Sequence, residues 1–466
     1  MKKIKKFNYM NLNIIKTIFF VLVISKLLIL IFFQYPSPVG DWGYFLSVSK
    51  FHCTDGIFRT PIFPMDENEN RFLWHAIMQP FLISFLSYDC SIQSFYLAIC
   101  LLIISTLFLV FFLKIKTYEK KFIWIFSIII FSLQVKQGFR PEIISIFLIL
   151  LIEHFFLKKN YLFTLPLVFL AWSHPAAFLI EIIFLSLRLD KELFIIFLKN
   201  LSKIFFTIIL ANILIAYLYP FNVYDHINFL IKHAHFLNTR IPADFYTYFI
   251  NFYTYLIRSD FFPLFGVSFF FILVFLFYLN KKSLLLCLPI YYFGTRFPQT
   301  YYNLIPLYIS IIYHINYILS EKLNYKKSLL LNLFKYYLLF VFFMSIIGLS
   351  QGLARDLFSK LNFNSSLQST KKIYNDLIAQ NNEVCEIPVF FTLFLNFEEL
   401  EKNYTPSKNC NKNKKNILNI YAVNGYNLNE LKNNNCILSH KSNNILSFIN
   451  PFKSESGYSV YICKEL

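Results

Sequence analysis

Asp41, Arg140, Glu142, His174 and Arg296 are residue types that can transfer a group between a phosphate and a hydroxyl. A carboxylate can take the proton from an acceptor hydroxyl, and Asp41 is the candidate base. An arginine holds a phosphate with a permanently charged, bidentate fork. Placed at the leaving group, such a charge stabilises the transition state, so Arg140 and Arg296 are candidates for that role. Glu142 can orient the acceptor, help bind a metal, or pair with Arg140. His174 can hydrogen-bond the phosphate or Asp41. Each has a plainer reading as a polar group at the end of an apolar segment, and for His174 that reading is a helix break in which only Pro175 matters. The functional reading depends on whether four separate segments bring these groups to one face.

Composition says what kind of scaffold must do this. The chain has 466 residues, 57% hydrophobic and only 15% charged, where soluble domains carry about 25% charged residues. Mean hydropathy is +0.52. Many apolar runs approach the ~20 residues that cross a bilayer. The expected class is a multi-pass α-helical membrane protein. The net charge of +18 would suggest nucleic acid in a soluble protein. Here the basic residues cluster between apolar runs, as membrane orientation requires. Membrane lipids, not nucleic acids, are the expected contacts.

Orientation starts at Met1-Lys2-Lys3-Ile4-Lys5-Lys6, which keeps the N-terminus inside. The first span, 14–33, has no small-x-small cleavage pattern after it and reads as an uncleaved anchor that delivers Asp41 to the outer face. The stretch 36–71 is polar. Residues 72–86 suit the outer interface, through Trp74, His75 and Gln79. A span over 92–113 returns to a basic turn, 122–133 goes out, 134–142 is an outer loop, and 143–157 comes back. Residues 161–187 carry Trp172-Ser173-His174-Pro175 in their middle. The lysines that follow require two short crossings, each ~16–18 Å long, of the kind tolerated when buried among other helices. Continuing in this way gives about eleven crossings by apolar length, with the N-terminus inside and the C-terminus outside. Residues 1–350 read as the membrane domain, with interfacial helices in its first outer loop. Residues 351–466 read as a small soluble α+β domain, with strands over 384–397, 417–423 and 458–463.

Cysteines give an independent expectation. Cys53, Cys90, Cys385, Cys410, Cys436 and Cys463 all fall outside, whereas Cys100 and Cys287 lie in apolar runs. An even set on an oxidising face fits a disulfide framework. Cys53–Cys90 would clip the first outer loop. The four tail cysteines allow three connectivities, among which the sequence does not choose, and free thiols are the alternative. With no C-x-x-C pair, a structural zinc site is not expected.

In order, these motifs resemble the GT-C integral-membrane glycosyltransferases, the broad group that includes protein O-mannosyltransferases and lipid A aminoarabinose transferases. Gly40-Asp41-Trp42-Gly43-Tyr44 stands where that group has an Asp-Glu-x-x-Tyr type motif after its first span. Arg140-Pro141-Glu142 resembles the Arg-Pro-Asp/Glu variant after the third span. His174-Pro175 stands at the turn between two short helices, where many relatives have Lys, and Arg296 precedes a span containing Pro306. The resemblance implies an inverting transferase acting on the outer face of the plasma (inner) membrane. Its donor would be a polyprenyl-phosphate hexose or pentose, and its acceptor a glycan, lipid or protein. It implies Asp41 and Glu142 as catalytic carboxylates, and Arg140, His174, Arg296 and Tyr44 as substrate-binding groups. Trp42 replaces the second acid of the motif, so a metal pair there is not implied. No cofactor is fixed, and Mg or Mn remains open.

Two other readings compete. An O-antigen or capsule polymerase also uses lipid-linked glycans and would work through the loop 220–260, with His226, His233, His235 and Arg240. A lipid-linked sugar transporter or flippase would show midplane charges and symmetry between halves, and no half-to-half repeat is visible.

Overall fold

The computed structural model describes residues 11–33, 41–56, 78–112, 120–158, 160–188, 191–218, 305, 308–310, 312–313, 327–361, 375, 383–386, 417–423, 436–441 and 459–464. The α-helices are α1 (Leu12–Phe33), α2 (Asp41–Asp55), α3 (Met78–Leu86), α4 (Ile92–Phe112), α5 (Lys120–Gln137), α6 (Glu142–Leu157), α7 (Thr164–Ser173), α8 (Pro175–Arg188), α9 (Lys191–Leu218) and α10 (Lys327–Leu361). Among the described residues three helices are long and apolar enough to span a membrane: Leu12–Phe33, Ile92–Phe112 and Asn332–Ala354 within α10. Shorter apolar helices, including Lys121–Val135, Thr164–Ser173 and Ala177–Ser186, pack among them. Three of the about eleven predicted crossings fall between 219 and 326, almost wholly outside the described residues.

Aromatic contacts fix how the helices run. Trp124, near the start of α5, lies 5.3 Å from Phe19 of α1 and 4.8 Å from Phe111 at the end of α4 (ring centroids). Phe122 stacks on Phe334, early in α10, at 5.6 Å. The first halves of α1, α5 and α10 therefore share one end of the bundle with the last turn of α4. At the opposite end, Tyr96 of α4 meets Phe139 edge-on at 5.0 Å, just after α5. Helices α4 and α6 thus run against α1, α5, α7 and α10, the alternation the charge pattern predicts.

Three local outcomes differ from the sequence reading. The stretch 36–71, read as polar, contains α2, which buries Phe45, Leu46, Val48 and Phe51. Gly56, at φ +65°, closes it with a backbone bond to the His52 carbonyl, a left-handed position that glycine takes without strain. Gln134, read as the start of a loop, lies inside α5. It stays there because its amide nitrogen donates to Thr106 Oγ1 (2.8 Å) and to the Ile143 carbonyl (3.2 Å). Helix α10 runs through position 350 to Leu361, with Asp356 buried against Lys26 of α1.

The entry to α4 is tightly specified. The Ser91 hydroxyl accepts the Ser94 N–H at 3.2 Å, an N-cap geometry. Asp89 accepts the Ser91 N–H at 3.0 Å, and its bonds to Ser91 hold its carboxyl below the usual range. Cys53 and Cys90 form the expected disulfide, with Cα atoms 5.7 Å apart, tying α2 to this entry. Cys100 is a buried free thiol, as its apolar run implies. Helix α3 packs on α2, α4 and α7; it covers the end of the segment read as interfacial, and residues 72–77 lie outside the described residues.

In the tail, β1 (Glu383–Glu386), β2 (Ile417–Val423), β3 (Cys436–Lys441) and β4 (Ser459–Lys464) form one sheet in the order β1-β2-β4-β3. The β1–β2 pair is parallel and the other pairs are antiparallel. Strands β2 and β4 fall where the sequence reading places them, the last by its alternation. Strand β3 was not read from the sequence, and residues 387–397, read as strand, are outside the described set.

Candidate functional site

The turn between α5 and α6 carries Arg140 and Glu142, and its backbone explains why they meet. Gly138 takes φ +55°, a left-handed conformation that ends α5. Pro141, at φ −63°, is pre-set for a helix start. Glu142 opens α6 and is fully buried, at the helix end where the partial positive charge favours a carboxylate. Arg140 Nε lies 3.2 Å from Glu142 Oε2, and Arg140 Nη2 lies 3.2 Å from Oε1. This is a bidentate pair two residues apart, bent back across Pro141.

His174 reaches the same carboxylate from the other hairpin. A residue before proline is pushed out of the helical region, and His174 is extended at φ −156° and ψ 86°. It closes α7 through its N–H to the Leu170 carbonyl at 2.8 Å. Its ring then caps α8, with Nδ1 accepting the Ala177 N–H at 3.0 Å. With Nδ1 occupied as an acceptor, Nε2 is the protonated nitrogen of the ring. Nε2 lies 3.5 Å from Glu142 Oε1. The helix break is thus real, and its histidine is also part of the cluster.

Glu142 therefore has its charge answered by Arg140 and a third donor from His174. Of the three roles open to it from sequence, pairing with Arg140 is the one present in this geometry. A carboxylate so engaged is a poor free base and a good positioner of two cationic or donor groups. Two residues before His174, the buried Nε1 of Trp172 has no hydrogen-bond partner, and on α3, a helix that packs on α7, neither amide atom of Gln79 is hydrogen-bonded. Buried polar groups are nearly always satisfied, so such groups mark places where a polar ligand or water fits.

Asp41 is the first residue of α2, but its side chain and that of Tyr44 are outside the described residues, as is Arg296 entirely. The structure thus brings together three of the six predicted site residues. The loop 220–260, with His226, His233, His235 and Arg240, also lies outside. Among the described residues no group of three His, Cys, Asp or Glu side chains could hold a metal. Sequence reading passed over several buried charged groups among the described residues, including Lys26 and Asp356, which pair with each other, and Glu181, which accepts a 2.6 Å bond from Ser310. Their signal was available, since an ionisable residue in or beside an apolar run is rarely placed at random.

The fold and site define a helical, membrane-embedded protein with a charged cluster at one end of its bundle. No protein-family model, curated protein or solved structure matches the chain.

Proposed function

We propose that the protein is an inverting glycosyltransferase that takes a sugar from a polyprenyl-phosphate donor at the outer face of the plasma membrane. One observation carries this reading. Arg140, Glu142 and His174 converge from two helical hairpins at a single end of the bundle. That end also holds the disulfide joining α2 to α4, and α2 begins at Asp41. A lipid-phosphate donor needs a cation at headgroup depth and a base beside it.

In this scheme Asp41 removes the acceptor hydroxyl proton and the acceptor oxygen bonds to the anomeric carbon. The bond from that carbon to the phosphate oxygen breaks, and polyprenyl phosphate leaves with the electron pair. Arg140, with Arg296, stabilises its charge. Glu142 is a positioning residue: it holds the Arg140 guanidinium and the His174 ring in register. Trp172, two residues before His174, offers a hydrogen bond to the donor's polar head.

The test uses purified full-length protein in nanodiscs, supplied with radiolabelled polyprenyl-phosphate sugars and membrane extract as acceptor source. Wild type releases polyprenyl phosphate and labels an acceptor. Asp41→Asn abolishes release, by at least ~100-fold on the scale of general-base loss, while inserting normally. An unchanged rate in Asp41→Asn removes Asp41 as the base. In a parallel reconstitution into sealed proteoliposomes, labelled sugar moving into the lumen with no product formed would favour the transporter.

A further inference from the structure

The tail sheet resolves a choice that cysteine counting leaves open. Cys436 and Cys463 are direct register partners on the antiparallel strands β3 and β4. Residues opposed in such a pair share a face, with Cα atoms about 4.5 or 5.5 Å apart. Both separations lie within the range a disulfide spans, roughly 4.4–6.8 Å. Cys385 lies on β1, and β2 separates β1 from β4. Two strand spacings of about 4.8 Å put Cys385 some 9–10 Å from the Cys463 strand. Three spacings separate it from β3. Both gaps exceed the ~7 Å beyond which two cysteines cannot be bridged without backbone movement.

We infer that Cys436 and Cys463 form a cross-strand disulfide that closes the β3–β4 edge of the sheet. Each thiol gives up its proton, the sulfurs join, and two electrons pass to a disulfide-bearing oxidant, which leaves as a dithiol by exchange. Such oxidants act in extracytoplasmic compartments, where the Cys53–Cys90 bond of this chain also forms. The pairing therefore puts the sheet on the same side of the membrane as the α2–α4 clip. It does not depend on any assignment of activity.

The experiment is disulfide mapping of the full-length protein in membranes alkylated with N-ethylmaleimide before lysis. A peptide pair joining Cys436 to Cys463 is expected beside the Cys53–Cys90 pair, and dithiothreitol separates both. Cys436→Ser should expose Cys463 as one new maleimide adduct, and Cys385→Ser should leave Cys463 unlabelled. Alkylated Cys436 and Cys463 in the wild type would overturn the assignment. So would either of them linked to another cysteine, or Cys463 freed by Cys385→Ser.

Discussion

Glu142 is fully buried and meets Arg140 through two nitrogens and His174 through a third. Burying one charge of such a pair without the other is expensive, whereas replacing both by apolar groups of similar size is close to neutral. Glu142→Gln should therefore destabilise the bundle by on the order of 3 kcal/mol, because the Arg140 cation loses its counter-charge. Arg140→Met/Glu142→Leu should recover much of that loss. Denaturation in graded SDS, followed by tryptophan fluorescence, reads both. If the double variant loses as much stability as Arg140→Met and Glu142→Leu do in sum, the pair is not coupled. At this scale the Arg140-Pro141-Glu142 motif was legible, because a proline between opposite charges at a span end is a local pattern. The third partner was not: His174 lies 32 positions from Glu142 in the numbering, and only the α6–α7 hairpin brings it back.

Elements were legible where backbone chemistry dominates. The break at His174-Pro175 follows from proline's effect on the preceding residue, and both short helices form where charge counting required them. Helix α2 was hidden because Asp41, Lys50, His52 and Asp55 dilute its hydropathy, although Phe45, Leu46, Val48 and Phe51 pack inward. Strand β3 was hidden likewise by Ser439, His440 and Lys441. On α2, burial pushes the His52 imidazole down to about 4, and its ring lies 5.8 Å from Phe81 of α3. Its folded-state pKa is below the unfolded value of 6.5, so between these values the unfolded chain binds the extra proton. The stability associated with neutral His52 is present above pH 6.5 and declines as pH falls toward 4. His52→Leu should flatten that acid limb. Thermal unfolding at pH 7.5 and pH 5 is the measurement. An equal drop in melting temperature for wild type and variant would place the sensitivity elsewhere.

At the scale of the whole molecule, hydropathy shows which segments are apolar but not which ones touch. Lys26 and Asp356 are 330 residues apart, in the first and last described helices, and both are buried where they pair. Neither helix could be matched to the other from sequence, since a charge inside an apolar run announces a partner without naming it. The pair closes α10 onto α1, with α10 also packed along α5, so α5, which leads into the Arg140–Glu142 turn, is held from two sides. A fault at Lys26 should thus reach the cluster through α1 and α5 as well as loosening α10. Lys26→Met alone leaves a buried carboxylate without its ammonium partner, and Asp356→Leu alone leaves the reverse; each should cost about 3–5 kcal/mol. Lys26→Met/Asp356→Leu should return most of it, since the combined side chains are apolar and of similar volume. The same SDS titration measures the three variants, with cysteine cross-linking between α1 and α10 as an independent readout of their contact. Singles that unfold like wild type, or a double no better than either single, would show that packing rather than the ion pair joins the two helices.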